Sequence, residues 1–488
     1  MQNLKDEIRQ TEKISRQLEP SPAQREEWMR LSANFAADFI DRLPSEPAYR
    51  AAPPKAGFRD LPLPDKGRPM EEALAFLKEQ LLSSGLNPAS GGHLGYIPGG
   101  GIYTTALGDY LAAITNSYAG ISFAGPGAVR LENSLLRWMC RLVGYPDTAL
   151  GNLTSGGSIA NLIAVTTARE ALGLRCRDIP RAVIYLTEQA HHSVQKAIHI
   201  AGLREAVLRY IPIDENFRMS PSHLRKQIEK DRSKNLRPFM LIAAAGTTDT
   251  GAIDPLNELA DLAEEHQMWY HIDAAYGGFF ILVDELKDRF RGIERADSIT
   301  IDPHKGLFLA YGLGAVLIKD TEALHRAHRY KANYMQDAVK TDLSLWDPAE
   351  LSPELTKHFR GLRLWMSLQL NGLQRFKAAI REKYLLAQYF QREVAKLGFE
   401  TGPEPQLSVA LYRYRPATGN INDFNRQLLA LLHQDGRIFV SSTMLNGNFW
   451  LRFAVLSFRT HLREVEMFLD MLKNALQQLA TSNPDPPA

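Results

Sequence analysis

Cysteine is nearly absent: the 488-residue chain holds only Cys140 and Cys176. Two thiols cannot build a disulfide framework, nor a tetrahedral cysteine metal site within one chain. A dominant sign of charge is missing too, since 57 Lys and Arg against 55 Asp and Glu leave a net charge of +2. That balance gives no electrostatic reason to expect nucleic acid or an anionic membrane as a partner. No apolar run approaches the length of a bilayer span. The first residues, Met1-Gln2-Asn3-Leu4-Lys5-Asp6-Glu7, are charged where a secretory signal would be apolar. What is present, 45% hydrophobic and 23% charged residues, is the make-up of an ordinary globular protein. The length allows about three domains around a large core. The expectation is a globular cytoplasmic enzyme acting on a small molecule, without a metal.

The chain divides by texture. Trp28, Leu31, Phe35, Phe39, Ile40 and Leu43 recur at helical spacing until Pro44, and a Pro-rich stretch from Pro53 to Pro69 precedes a second helix near Glu71–Leu82. Such a detached apolar helix packs either on its own chain or on a partner subunit. Glycine-rich turns then alternate with short apolar strands, expected at Ala182–Leu186, Phe239–Ala245, Met268–Ile272, Ser298–Ile301 and Gly314–Ile318. Helices expected at Ile159–Ala171 and Leu256–Glu265 separate them, which predicts an α/β fold with a mainly parallel central sheet flanked by helices. Residues 338–359 show little periodicity and read as either a functional loop or a mobile segment. A long helix follows from Leu364, then a small α+β domain with strands near Ser408–Tyr414 and Phe449–Ala454. The expected divisions are a helical segment over 1–88, a large domain over 89–375, a small domain over 376–480 and a disordered tail over 481–488.

Chemistry concentrates at the ends of the expected strands, where α/β sheets present their ligands. Ile301-Asp302-Pro303-His304-Lys305-Gly306 puts a lysine after one strand, and His271-Ile272-Asp273-Ala274-Ala275 puts a carboxylate after another. A lysine amine on a rigid element is what a carbonyl cofactor needs to form a Schiff base, and a nearby carboxylate can hold a pyridine nitrogen protonated. Together they suggest pyridoxal phosphate. Gly156-Gly157-Ser158, at the start of a helix, is either a plain turn or a phosphate cradle of backbone amides and a hydroxyl. His191, in Gln189-Ala190-His191-His192-Ser193, can stack on a planar ring. A metal on His191 and His192 is disfavoured because adjacent residues point different ways and no Glu-x-x-His partner exists. Thr248, in Gly246-Thr247-Thr248, ends another strand and can hydrogen-bond ring substituents. Arg452, flanked by apolar residues, is either a carboxylate clamp or half of a buried ion pair.

In this order, Gly-Gly-Ser, Gln-Ala-His, Gly-Thr-Thr, His-x-Asp-Ala-Ala-Tyr and Asp-Pro-His-Lys resemble the group II pyridoxal-phosphate-dependent decarboxylases across roughly residues 30–475. The resemblance implies fold type I, the aspartate-aminotransferase-like architecture. It also implies a homodimer whose N-terminal helices wrap the partner and whose active sites lie at the interface. By the same resemblance Lys305 would carry the cofactor, Asp273 would pair with its ring nitrogen and His191 would stack on the ring. Gly156, Gly157 and Ser158 would hold the phosphate with His304 nearby, and Thr248 and Ala275 would line the ring. Tyr96 and Ile97 would border the substrate. The reaction implied is decarboxylation of an L-amino acid, aromatic by preference, to the amine and carbon dioxide.

The chain departs from that family in the loop. Where aromatic decarboxylases carry a tyrosine that protonates the substrate carbon, Leu343 stands, and no tyrosine occurs between Tyr334 and Tyr384. His192, Tyr334 or water would then supply the proton, or the reaction would turn to oxidative aldehyde formation. Gly99 also replaces an expected threonine, and the stretch from Gly120 to Gly127 lacks the family's aromatic lining.

Overall fold

The computed structural model describes residues 2–51, 64–330, 342 and 344–482. Its centre is a seven-stranded sheet in the order β4-β10-β9-β8-β7-β5-β6. These strands are β4 (Leu150–Thr154), β5 (Ala182–Leu186), β6 (Val207–Tyr210), β7 (Arg237–Ala244), β8 (Trp269–Asp273), β9 (Ser298–Ile301) and β10 (Gly314–Ile318). Strand β10 runs antiparallel to both β4 and β9, while the other neighbouring pairs are parallel. Six strands therefore share one direction and present their C-terminal ends along one edge. Helices such as Gly157–Ala171 and Leu256–Glu265 cover the sheet. Burial on both faces explains why β5 and β10, buried throughout, read as short apolar runs rather than alternating ones.

The second sheet has the order β11-β12-β14-β13-β3, formed by β11 (Phe399–Thr401), β12 (Val409–Tyr414), β13 (Phe439–Leu445), β14 (Asn448–Ala454) and β3 (His93–Leu94). The earlier strands β1 (Tyr49–Arg50) and β2 (Gly85–Leu86) form a separate antiparallel pair. Strand β3 pairs parallel to β13 through His93–Phe439 and Leu94–Val440. A piece of the expected large domain thus completes the small domain's sheet, a long-range pairing that leaves no local signal. Phe390, Phe453 and Phe468 anchor this second core; the Phe390 and Phe453 rings stack 4.0 Å apart.

Helix Arg360–Lys396 joins the two cores. Its Phe376, Ile380 and Tyr384 pack into the first core, and Leu386, Ala387 and Phe390 into the second. The helical path breaks at Gly372 (φ 69°, ψ 150°), a conformation glycine adopts without a Cβ clash. The change of core falls between Tyr384 and Leu386, beyond the boundary expected at residue 375. At the other end, helix Pro22–Arg42 begins with a capping box between Ser21 and Gln24 and has no fully buried residue. Among the described residues no helix is long and apolar enough to cross a membrane.

Candidate active site

Five segments that follow β4, β5, β7, β8 and β9 close around one cavity of about 320 Å³. It is lined by Gly156, Gly157 and Ser158 after β4, and by His191 after β5. Thr248 follows β7, Asp273 and Ala275 end β8, and His304 and Lys305 follow β9. Nine residues named from sequence are therefore brought together, because parallel strands put all their C-terminal ends on one side.

The Lys305 amine lies 3.0 Å from Asp302 Oδ2, and Asp302 is buried. Burial alone would lower the lysine pKa, but the carboxylates of Asp302 and Asp273 outweigh it and hold the pKa above its ordinary value. Asp273 accepts from the Ala275 backbone N–H at 3.1 Å and from Asn161 Nδ2 at 3.2 Å. The helix Gly157–Ala171 aims its first turn at the cavity, where N–H groups have no intrahelical partner. A Cβ at Gly157 would sit 3.0 Å from Asp302 Oδ2, a tight contact that glycine avoids. His304 Nδ1 donates to Leu313 O at 2.5 Å, leaving Nε2 without its proton; burial lowers the ring's pKa. His191 caps helix His192–Ile200, its Nδ1 accepting from the Ser193 backbone N–H, and burial lowers its pKa as well.

This lining has a place for each part of pyridoxal phosphate. It offers an amine for the aldehyde, a carboxylate for the ring nitrogen, and flat and small side chains for the ring faces. A helix N-terminus with serine hydroxyls suits the phosphate. The donor set fits the group.

Three expected substrate residues are not brought into the cavity of the protomer. Ile97 packs in the first core, and Tyr96 is 54% exposed against Phe439. Their segment nonetheless runs directly behind the lysine, since a Cβ at Gly99 would strike the His304 carbonyl oxygen. Arg452 is buried, with its guanidinium held by neighbouring oxygens. Its Nε donates to Asp249 O at 2.8 Å, Nη1 to Ser441 Oγ at 2.8 Å, and Nη2 to Thr248 O. With 3% exposure it fixes the Thr248–Asp249 turn, and burial lowers its pKa. His192 is exposed, its ring 4.0 Å from that of His191. Tyr334 and Leu343 lie outside the described residues.

Two residues escaped sequence reasoning. Asp302 stands inside a recognised motif but reads as a strand-end cap. Asn161 lies one helical turn after Gly157, on the face that looks into the sheet, and is 1% exposed. A polar residue among Ala160, Ile163 and Ala164 was the available signal.

The fold and the site define a pyridoxal-phosphate enzyme of fold type I, with a lysine lining the cavity after a parallel strand. The sequence profile described as the pyridoxal-dependent decarboxylase conserved domain matches residues 62–415, and the chain belongs to that family. It is similar to an aromatic-L-amino-acid decarboxylase of Bacillus atrophaeus, 34% identical and covering 86% of this chain and 88% of the relative. A tyrosine decarboxylase of Narcissus pseudonarcissus is 30% identical over the same shares. Among solved structures, Catharanthus roseus tryptophan decarboxylase in complex with L-tryptophan superposes with a TM-score of 0.88 at 26% identity, covering 94% of this chain and 100% of that one.

Proposed function

We propose that this chain converts an aromatic L-amino acid to its amine and carbon dioxide, with Lys305 as the residue that carries the cofactor. The supporting observation is that Lys305, in the short helix after β9, and Asp273, at the end of the neighbouring β8, line one cavity whose far wall is a helix N-terminus. The aromatic preference draws on the substrates in the names of the similar enzymes.

When bound, pyridoxal phosphate supplies an electron sink for the pair released as the bond to the carboxylate breaks. The chain's own residues arrange that event. Asp273, held by two N–H donors, keeps a proton on a ring nitrogen facing it. The first-turn amides of Gly157 and Ser158, with His304, hold the phosphate end. His191 and Ala275 bracket the ring, and Thr248 fixes its orientation on a turn that Arg452 locks in place.

A homodimer belongs to the same reading. Trp28 and Met29 on helix Pro22–Arg42, and Tyr103, Tyr110 and Ile114 on helix Tyr103–Thr115, are exposed apolar residues that a second copy would cover. In that dimer Tyr96 and Ile97 border the substrate at the interface. A cytoplasmic location accords with the unpaired Cys140 and Cys176.

The test is a product assay on the purified protein with pyridoxal phosphate and a panel of L-amino acids, with and without air. Amine and carbon dioxide in both atmospheres, from aromatic substrates, are expected, with Lys305→Ala inactive. Aldehyde, ammonia and peroxide formed only in air would replace decarboxylation by the oxidative reaction that the loop leucine raises. No product at all would remove the enzyme reading.

A further inference from the structure

Behind the cavity wall, buried polar side chains form a continuous hydrogen-bonded line between β8, β9 and the helix Gly157–Ala171. Trp269 Nε1 lies 2.8 Å from Ser298 Oγ, which lies 2.8 Å from His271 Nδ1. His271 Nε2 is 3.0 Å from Asn161 Oδ1, which also accepts from Thr300 Oγ1 at 2.7 Å. Asn161 Nδ2 donates to Asp273 Oδ2 at 3.2 Å and to Ser193 Oγ at 3.1 Å. Ser193 Oγ is 2.7 Å from His191 Nδ1. All four hydrogen-bonding valences of the Asn161 amide are used.

The line has only one direction. The Asp273 carboxylate accepts, so the end of Asn161 that faces it is the NH₂ and the end that faces His271 is the oxygen. Burial lowers the His271 pKa to about 4, so the ring carries a single proton at neutral pH, and it must sit on Nε2. Nε2–H donates to that oxygen, the bare Nδ1 accepts from the Ser298 hydroxyl, Ser298 accepts from the Trp269 indole N–H, and the NH₂ end of Asn161 also reaches Ser193. Ser193, having accepted that N–H, donates to His191 Nδ1. The Ser193 backbone N–H reaches the same Nδ1 at 3.3 Å, independent support for a bare nitrogen there.

The geometry points to Asn161 as the positioning residue of this site: it holds the Asp273 carboxylate by N–H donation and, through Ser193, sets His191 as the Nε2–H tautomer. The direction is set by the Asp273 carboxylate. This rests on the cofactor reading above, in which Asp273 and His191 face the ring.

The tautomer is read by ¹⁵N NMR of histidine-labelled, cofactor-free protein, the His191 signals being assigned by their loss in His191→Gln. A pyridine-type Nδ1 and a pyrrole-type Nε2 are expected; a protonated Nδ1 or an even mixture overturns the inference. In the second measurement Asn161→Asp keeps the side-chain size and the acceptor for His271 but turns an oxygen toward Asp273 and Ser193. Its affinity for pyridoxal phosphate, followed by visible absorption, should fall at least tenfold, and its His191 signals should move to mixed tautomers. Unchanged affinity and unchanged His191 signals would overturn the proposal. A wild-type protein that takes up no pyridoxal phosphate would instead overturn the cofactor reading and leave the tautomer result to stand or fall alone.

Discussion

Lys305 meets two carboxylates with different tasks. Asp302, 3.0 Å away, holds the amine protonated, whereas an amine must lose its proton before it attacks an aldehyde. Asp302 is the largest influence raising the lysine pKa. Replacing Asp302 by Asn should therefore increase the neutral fraction of Lys305 at pH 8 and accelerate uptake of pyridoxal phosphate by cofactor-free protein. Stopped-flow absorption measures this; a slower uptake would contradict the role given to Asp302. In the proposed reading Asp273 would act on the other partner, the ring nitrogen. Asp273→Asn keeps the shape but not the charge, and should lower turnover on the order of 10²-fold or more while the fold is retained. Steady-state kinetics beside a circular-dichroism spectrum separates the two effects.

At the scale of elements, the segment 344–359 leads into the long helix, and it is tied down by a buried charge pair. Lys357 Nζ lies 3.2 Å from Glu132 Oε2, with both side chains fully buried. Nζ also donates to Asn152 Oδ1 at 2.7 Å and to Leu153 O at 3.0 Å, so the segment is fastened to β4, the strand that leads into Gly156 and Gly157. Removing one partner leaves the other charge buried alone. Lys357→Met should destabilise the protein by about 3–5 kcal/mol, with Glu132→Gln recovering part of the loss in the double variant. Urea denaturation midpoints of the three variants give the answer. This pair also shows where sequence reasoning ends. Strands, cradle and lysine were legible because glycine turns and apolar runs are local patterns. Glu132 and Lys357 look like surface charges on paper, and only the packing of distant segments makes them interior. The same holds for Arg452, whose carbonyl partners are unreadable in sequence, and for β3, whose partner strand lies far along the chain. Asn161 stands three residues after Gly156-Gly157-Ser158, yet its four partners come from other segments.

For the whole molecule, acid should be felt before the carboxylates titrate. His93, His271 and His328 are each held by burial at a pKa of about 4. In the unfolded chain they bind protons near pH 6.5. Their contribution is therefore complete above pH 6.5 and is lost as pH falls toward 4, each group by up to about 3 kcal/mol. Asp254 works the other way: burial raises it to about 6, so its contribution is complete below about 3.8 and disappears as pH rises through 6. Three groups against one predict a net loss of stability on acidification from pH 6.5 to 4.5. Thermal melts across that range should show it, with a shallower slope in His328→Gln.

The long helix that feeds both cores has a consequence for how the molecule comes apart. Tyr384 and Leu386, two residues apart, belong to different cores, so loosening either core pulls on the helix that supports the other. The two lobes should behave as one cooperative unit, and calorimetry should record a single heat-absorption peak rather than two. The small lobe is then not a detachable module: cut away after Gly372, it would lose a share of its own scaffold along with its neighbour.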